Sequence, residues 1–516
     1  MYVNVSRYKR YHRVRLLRKV VSRGKRQTVL VEHIGSARNE SELVALRHKA
    51  HERLAALRPQ LSLLTALDTQ SHRQATDTSR LVVSGSFARG LWQVLGGLYD
   101  DLGLPATLPK QLVLARIALP QSKRATARYL ENAFGLSLGL QTIYDYLDTV
   151  DKEEVMTTLL AAARQRLVTV TGQVFSVVFY DVTTLYFETD EDDEDTEQTA
   201  GLRKKGYSKD HRFDLPQIVV GLTVDQTGFP LDFQVYEGNT YEGHTLLAGV
   251  TKIREKLKLT ATALTVVADA GMLSDANLAE LEQAGYTYIV GARIRSVAAS
   301  KATEIVDWDY ATQGVLDTQF HGRRLLVTYS DKRAQCSRQN RDRLIAKLQV
   351  KLDRGLVVKK SKYVHLTTDA PLTGSLDQAK IDADRRFDGL KGYVTNTTLT
   401  PDEVMAHYGN LWRVEQSFRM SKSDLKARPT FHYKRERIIA HLVICVCALG
   451  VLRAFEEQVY QALPGVGVSL ALEQLLAIRE YRLTLPNQQQ IMVPSELTDV
   501  QHTLMGLHAK FGRPKP

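Results

Sequence analysis

The chain is 516 residues long, 44% hydrophobic and 24% charged; this excludes a disordered chain and is too much for one core, so roughly two to four compact regions are expected. Its net charge is +12, and Arg7, Lys9, Arg10, Arg13, Arg15, Arg18, Lys19, Arg23, Lys25 and Arg26 all precede the first acid, Glu32. Such crowding suits a polyanion, because contact with phosphates releases their counterions. The cysteines Cys336, Cys445 and Cys447 lack zinc-site spacing and exclude a disulfide framework. The basic start lacks the apolar core of a signal peptide, so the cytoplasm is the expected compartment.

Residues 1–79 read as a basic hairpin followed by a helix. Arg13–Val21 and Thr28–Ile34 carry β-formers around Ser22-Arg23-Gly24-Lys25, with Arg13, Arg15 and Lys19 as DNA-binding candidates, and residues 41–57 have an amphipathic helical pattern. Residues 80–170 read as a helical DNA-binding region with little β signal; Lys123–Phe134, the Gly135–Gly139 gap and Leu140–Leu147 are laid out like a helix-turn-helix. Val174–Phe187 is a nearly unbroken apolar run, as in a central strand. The acidic run over 188–195 is expected to be a solvated, mobile loop. Ile218–Val224 and Phe229–Tyr236 form a hairpin around Asp225-Gln226-Thr227-Gly228. Then come a helix (His244–Leu257), a strand (Leu264–Ala268), a helix from Ser274 to Ala284 stopped by Gly285, and a strand (Tyr286–Gly291).

Three antiparallel strands followed by helix-connected strands is the order of an RNase H-like fold. The expected class is therefore α/β: an RNase H-like catalytic core over 171–294 and 396–462, with an inserted β-rich subdomain over 295–395. That insertion holds strands at Arg324–Tyr329 and Tyr363–Thr367 and a charged helix near 338–354. A long helix is expected over Pro401–Leu425. The apolar run Ile438–Leu452 is too short to span a bilayer and reads as a buried core helix, so no membrane is expected. Residues 463–516 are left as a C-terminal tail.

Three acids sit where an acid is costly. Asp181 lies inside the most apolar strand, where an ionised carboxylate needs a cation or several donors. Asp269 ends the Leu264–Ala268 strand and is followed by Ala270-Gly271. On a continuous helix, Tyr408, Leu411, Trp412, Glu415, Phe418 and Lys422 share one stripe, so Glu415 is expected to point into a packed apolar surface. Each has a plainer reading: a loop hydrogen bond for Asp181, a helix-dipole acid for Asp269, and an i+4 pair with Arg419 for Glu415. With strands one and four side by side, all three converge on one sheet edge. Converging carboxylates suit Mg²⁺ or Mn²⁺, hard ions that take oxygen ligands, and two such ions suit in-line phosphoryl displacement.

At these residues the chain resembles the DDE transposases of bacterial insertion sequences. Phe179-Tyr180-Asp181-Val182-Thr183-Thr184 looks like their first catalytic strand and Val267-Ala268-Asp269-Ala270-Gly271 like their second. Tyr408, Glu415 and Lys422 match the spacing of the Tyr-x2-Arg-x3-Glu-x6-Lys group, whereas its Arg position is Leu411, with Arg413 nearby to supply the charge. Gly206–Arg212, Pro216-Gln217 and Glu237–Thr240 also look like segments of this group. The resemblance implies catalysis and metal binding by Asp181, Asp269 and Glu415, with two Mg²⁺ or Mn²⁺ ions, and an insertion within the 146 residues separating Asp269 from Glu415. It implies DNA contacts from Tyr408, Arg413 and Lys422, with Lys209 and Arg212 as lesser candidates. The implied partner is double-stranded DNA, as element ends and target, held by a homodimer in the cytoplasm at the nucleoid. An RNase H-like nuclease or resolvase without strand transfer, or a non-catalytic DNA-binding derivative, would carry the same acids.

Overall fold

The computed structural model describes all residues except 9–10, 23–24, 69–81, 107, 173–174, 196–199, 210, 259–263, 273, 355–360, 367–373, 428–431, 486 and 509–516. The chain forms two compact units. One comprises Met1–Gly90, Asn132–Phe134 and Gln474–Thr503; the other Leu91–Glu131, Gly135–Glu473 and Leu504–Pro516.

In the first unit, Tyr2–Tyr8, Tyr11–Ser22 and Lys25–Ala37 make an antiparallel three-stranded sheet. The tip residues of the expected turn, Arg23 and Gly24, lie outside the described residues, as do Lys9 and Arg10. Side chains alternate across a strand, so Val14 and Leu16 enter a core with Leu43, Ala50 and Leu54 of the helix Glu40–Asp68. Arg13, Arg15 and Lys19 fall on the other face. Val82–Phe87 is a strand, which corrects the helical reading of this stretch. It pairs with Glu480–Thr484, which pairs in turn with Gln490–Pro494. Residues 463–516 are therefore not a tail: they hold this hairpin and the helices Val468–Ala477 and Asp499–Gly506. Its partner strand lies about four hundred residues away, so no local pattern announces the pairing.

The second unit is built on an eight-stranded sheet. Its strands are β1 (Val177–Tyr186), β2 (Gln217–Asp225), β3 (Pro230–Glu237), β4 (Thr265–Ala268), β5 (Thr287–Ala292), β6 (Leu316–Phe320), β7 (Arg323–Tyr329) and β8 (Leu390–Thr395), in the order β6-β7-β8-β5-β4-β1-β2-β3. β1, β2 and β3 are antiparallel neighbours, and β4 runs parallel to both β1 and β5. Residue 174, the expected start of β1, is outside the described residues. The helix Leu246–Leu257 packs on the antiparallel strands, and Lys152–Thr171 and Arg435–Ala462 pack on β3. Arg435–Ala462 is long and apolar enough to cross a membrane, yet its most apolar stretch is almost wholly buried inside the protein.

The β-rich insertion expected over 295–395 does not stand apart from the main sheet. β6, β7 and β8 extend the main sheet through β8–β5 pairing. What lies between β7 and β8 is largely helical (Asp331–Asp353 and Gln378–Arg385), with a small ribbon of Val364–Leu366 and Gly374–Leu376. The expected single helix over Pro401–Leu425 is also corrected: it is broken into Pro401–Gly409, Trp412–Arg419 and a wider turn over Met420–Asp424. At the break, backbone bonds run from Leu411 to Tyr408, Arg413 to Asn410 and Val414 to Leu411. That i to i+3 pattern winds more tightly than an α-helix and rotates everything after it. Gly409 and Asn410, poor helix residues, mark the spot. The acidic run is pinned rather than free: Asp193 pairs with Arg203, Asp195 with Lys204, and Asp192 accepts the Lys205 N–H.

Candidate active site

β1 is buried from Val177 to Leu185 except at Asp181, whose side chain is 21% exposed. Its neighbour Tyr180 points to the opposite face, and its hydroxyl donates to the Thr245 carbonyl at 3.1 Å. A Cβ at Gly221 would lie 2.1 Å from that hydroxyl and one at Gly249 2.6 Å from the ring. Two glycines thus make room for the ring that locks β1 in register.

The parallel β1–β4 pairing matches Val177 with Thr265, Val178 with Val266 and Phe179 with Val267. Carried two residues on, the same register sets Asp269 level with Asp181 on the adjacent strand, about 5 Å away in the pairing direction. The two differ in support. Asp181 accepts the Val182 N–H at 2.7 Å and stands 4.0 Å from the Lys209 ammonium. Lys209 also pairs with Glu242 at 3.1 Å and donates to the Val182 carbonyl. Burial, opposed by Lys209 and reinforced by repulsion from Glu242 and Asp269, pushes the Asp181 carboxyl up to about 6. Asp269 is exposed and accepts the Tyr408 hydroxyl at 3.1 Å. Tyr408 is 6% exposed and packs edge-on against Tyr393. It reaches Asp269 across Gly291, where a Cβ would come within 2.4 Å of its hydroxyl.

Glu415 departs from expectation. The broken helix buries Val414, Ser417 and Phe418 and leaves Trp412, Glu415 and Arg419 exposed. Glu415 therefore does not interrupt a buried stripe; it stands at the rim. Its charge acts on Tyr408 and Lys391. Lys391, on β8, lies 4.4 Å from the Tyr408 ring centre. Burial and Arg333 lower its pKa, while Asp269 and Glu415 oppose them. No sequence signal singled out Lys391, because only the sheet order brings β8 to this edge. Glu242, which starts the single tight turn Glu242–Thr245, was equally silent.

The helix carrying Glu415 is anchored from beneath. Buried Arg453 donates to the Arg413 carbonyl at 3.1 Å and to Ser417 Oγ at 2.8 Å, and Ser417 donates to the Gly228 carbonyl at 3.0 Å. The Arg413 side chain is committed to Asn410 and the Thr227 carbonyl. Two residues along a helix point to different sides, so Arg413 does not supply the charge beside Glu415; Lys391 does. Leu411, at the signature's Arg position, is buried. Lys422 is half-buried in the Met420–Asp424 turn. Arg212 pairs with Asp214 over the Tyr186 ring. In the other unit, Arg13 bonds the Tyr11 hydroxyl and covers the Tyr8 ring, Arg15 bonds Ser6, and Lys19 lies over Tyr2. The exposed positions of Leu140–Thr149, the expected recognition helix, include Gln141, Thr142, Asp145 and Asp148 and no basic residue.

Among the described residues no three acidic, histidine or cysteine side chains are already gathered tightly enough to cage an ion. The donor chemistry nonetheless fits a hard divalent cation. The donors are carboxylate oxygens, and Asp181 is desolvated, faces a second acid and is only partly compensated by Lys209.

The family described as Transposase DDE domain matches residues 173–451. No curated protein matches the chain. Among solved structures, a piggyBac transposase synaptic complex with hairpin DNA matches over 75% of this chain and 77% of its own, at 8% identity and a TM-score of 0.38. The Mos1 mariner paired end complex with Mn matches over 36% and 56%, at 10% identity and a TM-score of 0.15. With more than half of its length matched, the chain belongs to the DDE transposases and is a DNA transposase, a metal-dependent enzyme that cleaves DNA and transfers its strands.

Proposed function

We propose that the chain is the transposase of a bacterial insertion sequence, acting as a homodimer on DNA in the cytoplasm. It binds the terminal inverted repeats of its element, hydrolyses phosphodiester bonds at the ends, and presents the freed 3′-hydroxyl to target DNA. Asp181 and Asp269 are the core metal ligands and Glu415 completes the set. The observation that carries this reading is the β1–β4 register, which, carried two residues beyond the Phe179–Val267 pair, brings Asp269 level with Asp181 just past the end of β4. When bound, two Mg²⁺ or Mn²⁺ ions supply an activated attacking oxygen and stabilise the leaving one.

The chain's own residues do the rest. Tyr408 orients the Asp269 carboxylate through its hydroxyl. Lys209 and Lys391 flank the acids with positive charge suited to the scissile phosphate. Arg453 and Ser417 hold the Glu415 helix against the Gly228 turn. Lys422 and the face bearing Arg13, Arg15 and Lys19 contact the DNA backbone, with Arg212 at the margin. Incubating the purified protein and Mg²⁺ with labelled element ends tests this: cleaved and joined products are expected. Cleavage without joined products would favour a nuclease or resolvase.

A further inference from the structure

Away from the carboxylates, the second unit holds a cavity of about 410 Å³ lined by Arg116, Ser122, Lys123, Arg124, Lys426 and His432, together with Tyr144 and His441. Among the described residues no carboxylate lines it. Lys123 is 6% exposed and has no hydrogen-bond or carboxylate partner among the described residues. Arg116 is as deeply buried, and its one hydrogen-bond partner among the described residues is the Gln121 carbonyl, 3.3 Å away. His441 is buried, with its ring against the Ala427 backbone and Nε2 3.8 Å from Cys445 Sγ. Burial pushes the Lys123 ammonium down to about 7 and His432 down to about 4, with cationic neighbours acting in the same direction. A buried charge left without a counter-charge is costly, and here several of one sign share a space.

Two helices begin at this cavity. Ser122 caps Lys123–Phe134, and Leu140–Thr149 starts after Gly139, which offers no side-chain cap. Helix N-termini carry partial positive charge and unsatisfied N–H groups, which favour phosphate. The donors of a lysine, an arginine and two helix starts exceed the lone pairs of a carboxylate; a tetrahedral oxyanion offers more acceptors. We propose that this cavity is a phosphate-binding site in which Lys123 and Arg116 are the buried charge partners of one phosphate group, carried by the DNA backbone or by a phosphorylated small molecule. This site does not depend on the assignment of the metal ligands.

The test uses the full chain, with Lys123→Met and Arg124→Gln as variants. Lys123→Met removes the charge and orphans no partner; Arg124 is exposed, so its variant keeps the test alive if the first fails to fold. Melting temperature is compared in inorganic phosphate and in chloride at equal ionic strength, and anisotropy of a fluorescein-labelled duplex is followed through a salt series. Phosphate should raise the wild-type melting temperature, and Lys123→Met should abolish, and Arg124→Gln reduce, that rise. If the backbone is the source, both variants also weaken duplex binding and flatten log K against log salt by about one. If a small molecule is the source, duplex binding stays at the wild-type level while the phosphate response is lost. Asp269→Asn should retain both responses, which separates this site from the carboxylate edge. A wild type indifferent to phosphate whose duplex binding survives both substitutions overturns the proposal, as does a phosphate response unchanged in both variants.

Discussion

The carboxylate edge and the basic cavity of the second unit are mirror images in charge. Each has one buried ionisable group beside others of its own sign, and burial shifts that group toward its neutral form: Asp181 upward, Lys123 downward. They differ in internal support. Asp181 has the Val182 N–H and Lys209, and Asp269 has Tyr408; Lys123 has no such partner among the described residues. On the proposed assignment the edge is held in shape before its cations arrive, as a reaction centre requires. The cavity leaves its charge to be satisfied by what binds.

The sharpest way to break this contrast is at the edge. Asp181→Asn and Asp269→Asn should each lower cleavage by about 10³-fold or more while leaving DNA binding intact, measured on labelled element ends. Next come the supports. Gly291→Ala forces the Tyr408 hydroxyl away from Asp269, and Tyr408→Phe removes the same bond without crowding. Both should slow cleavage by roughly 10–100-fold, the usual cost of losing a group that orients a metal ligand. Equal rates in Tyr408→Phe and wild type would mean that Asp269 needs no such support. Lys391→Met should cost about tenfold in kcat, with a smaller change in KM, if its charge acts at the reacting phosphate.

The smallest effect lies in the cavity and is thermodynamic. An unfolded lysine titrates near 10.4, whereas folded Lys123, facing Arg116, His432, His441 and Cys445, is held at about 7. Between those values the unfolded chain binds a proton that the folded chain does not, so wild-type stability rises with pH across that window. In phosphate-free buffer Lys123→Met should melt higher than wild type at pH 7, with an advantage that shrinks toward pH 10. An advantage independent of pH would mean that Lys123 carries no burial penalty.

The sheet's first half was legible because buried strands write themselves as apolar runs, and an acid inside or at the end of one stands out: Asp181 and Asp269 became candidates that way. Of β6, β7 and β8 only β7 was read as a strand, and nothing local encodes which edge of a sheet a strand joins. That hid Lys391, whose role depends on β8 lying next to β5. The Val82–Phe87 strand was missed for the same reason. Glu415 became a candidate by spacing, but the packing argument for it failed: a tight turn at Asn410–Leu411 rotates the helix, and a continuous 3.6-residue projection across that break puts the wrong residues inward. Lys123, read only as the start of a helix, gave no hint of a buried charge without a partner among the described residues.

The central claim is that three carboxylates serve one metal-dependent reaction. The most direct test measures Mg²⁺- or Mn²⁺-dependent cleavage of labelled element ends by wild type, Asp181→Asn, Asp269→Asn and Glu415→Gln, with DNA binding followed in the same samples. The account predicts bound but uncut DNA for all three variants. Cleavage at the wild-type rate by any one of them would contradict it.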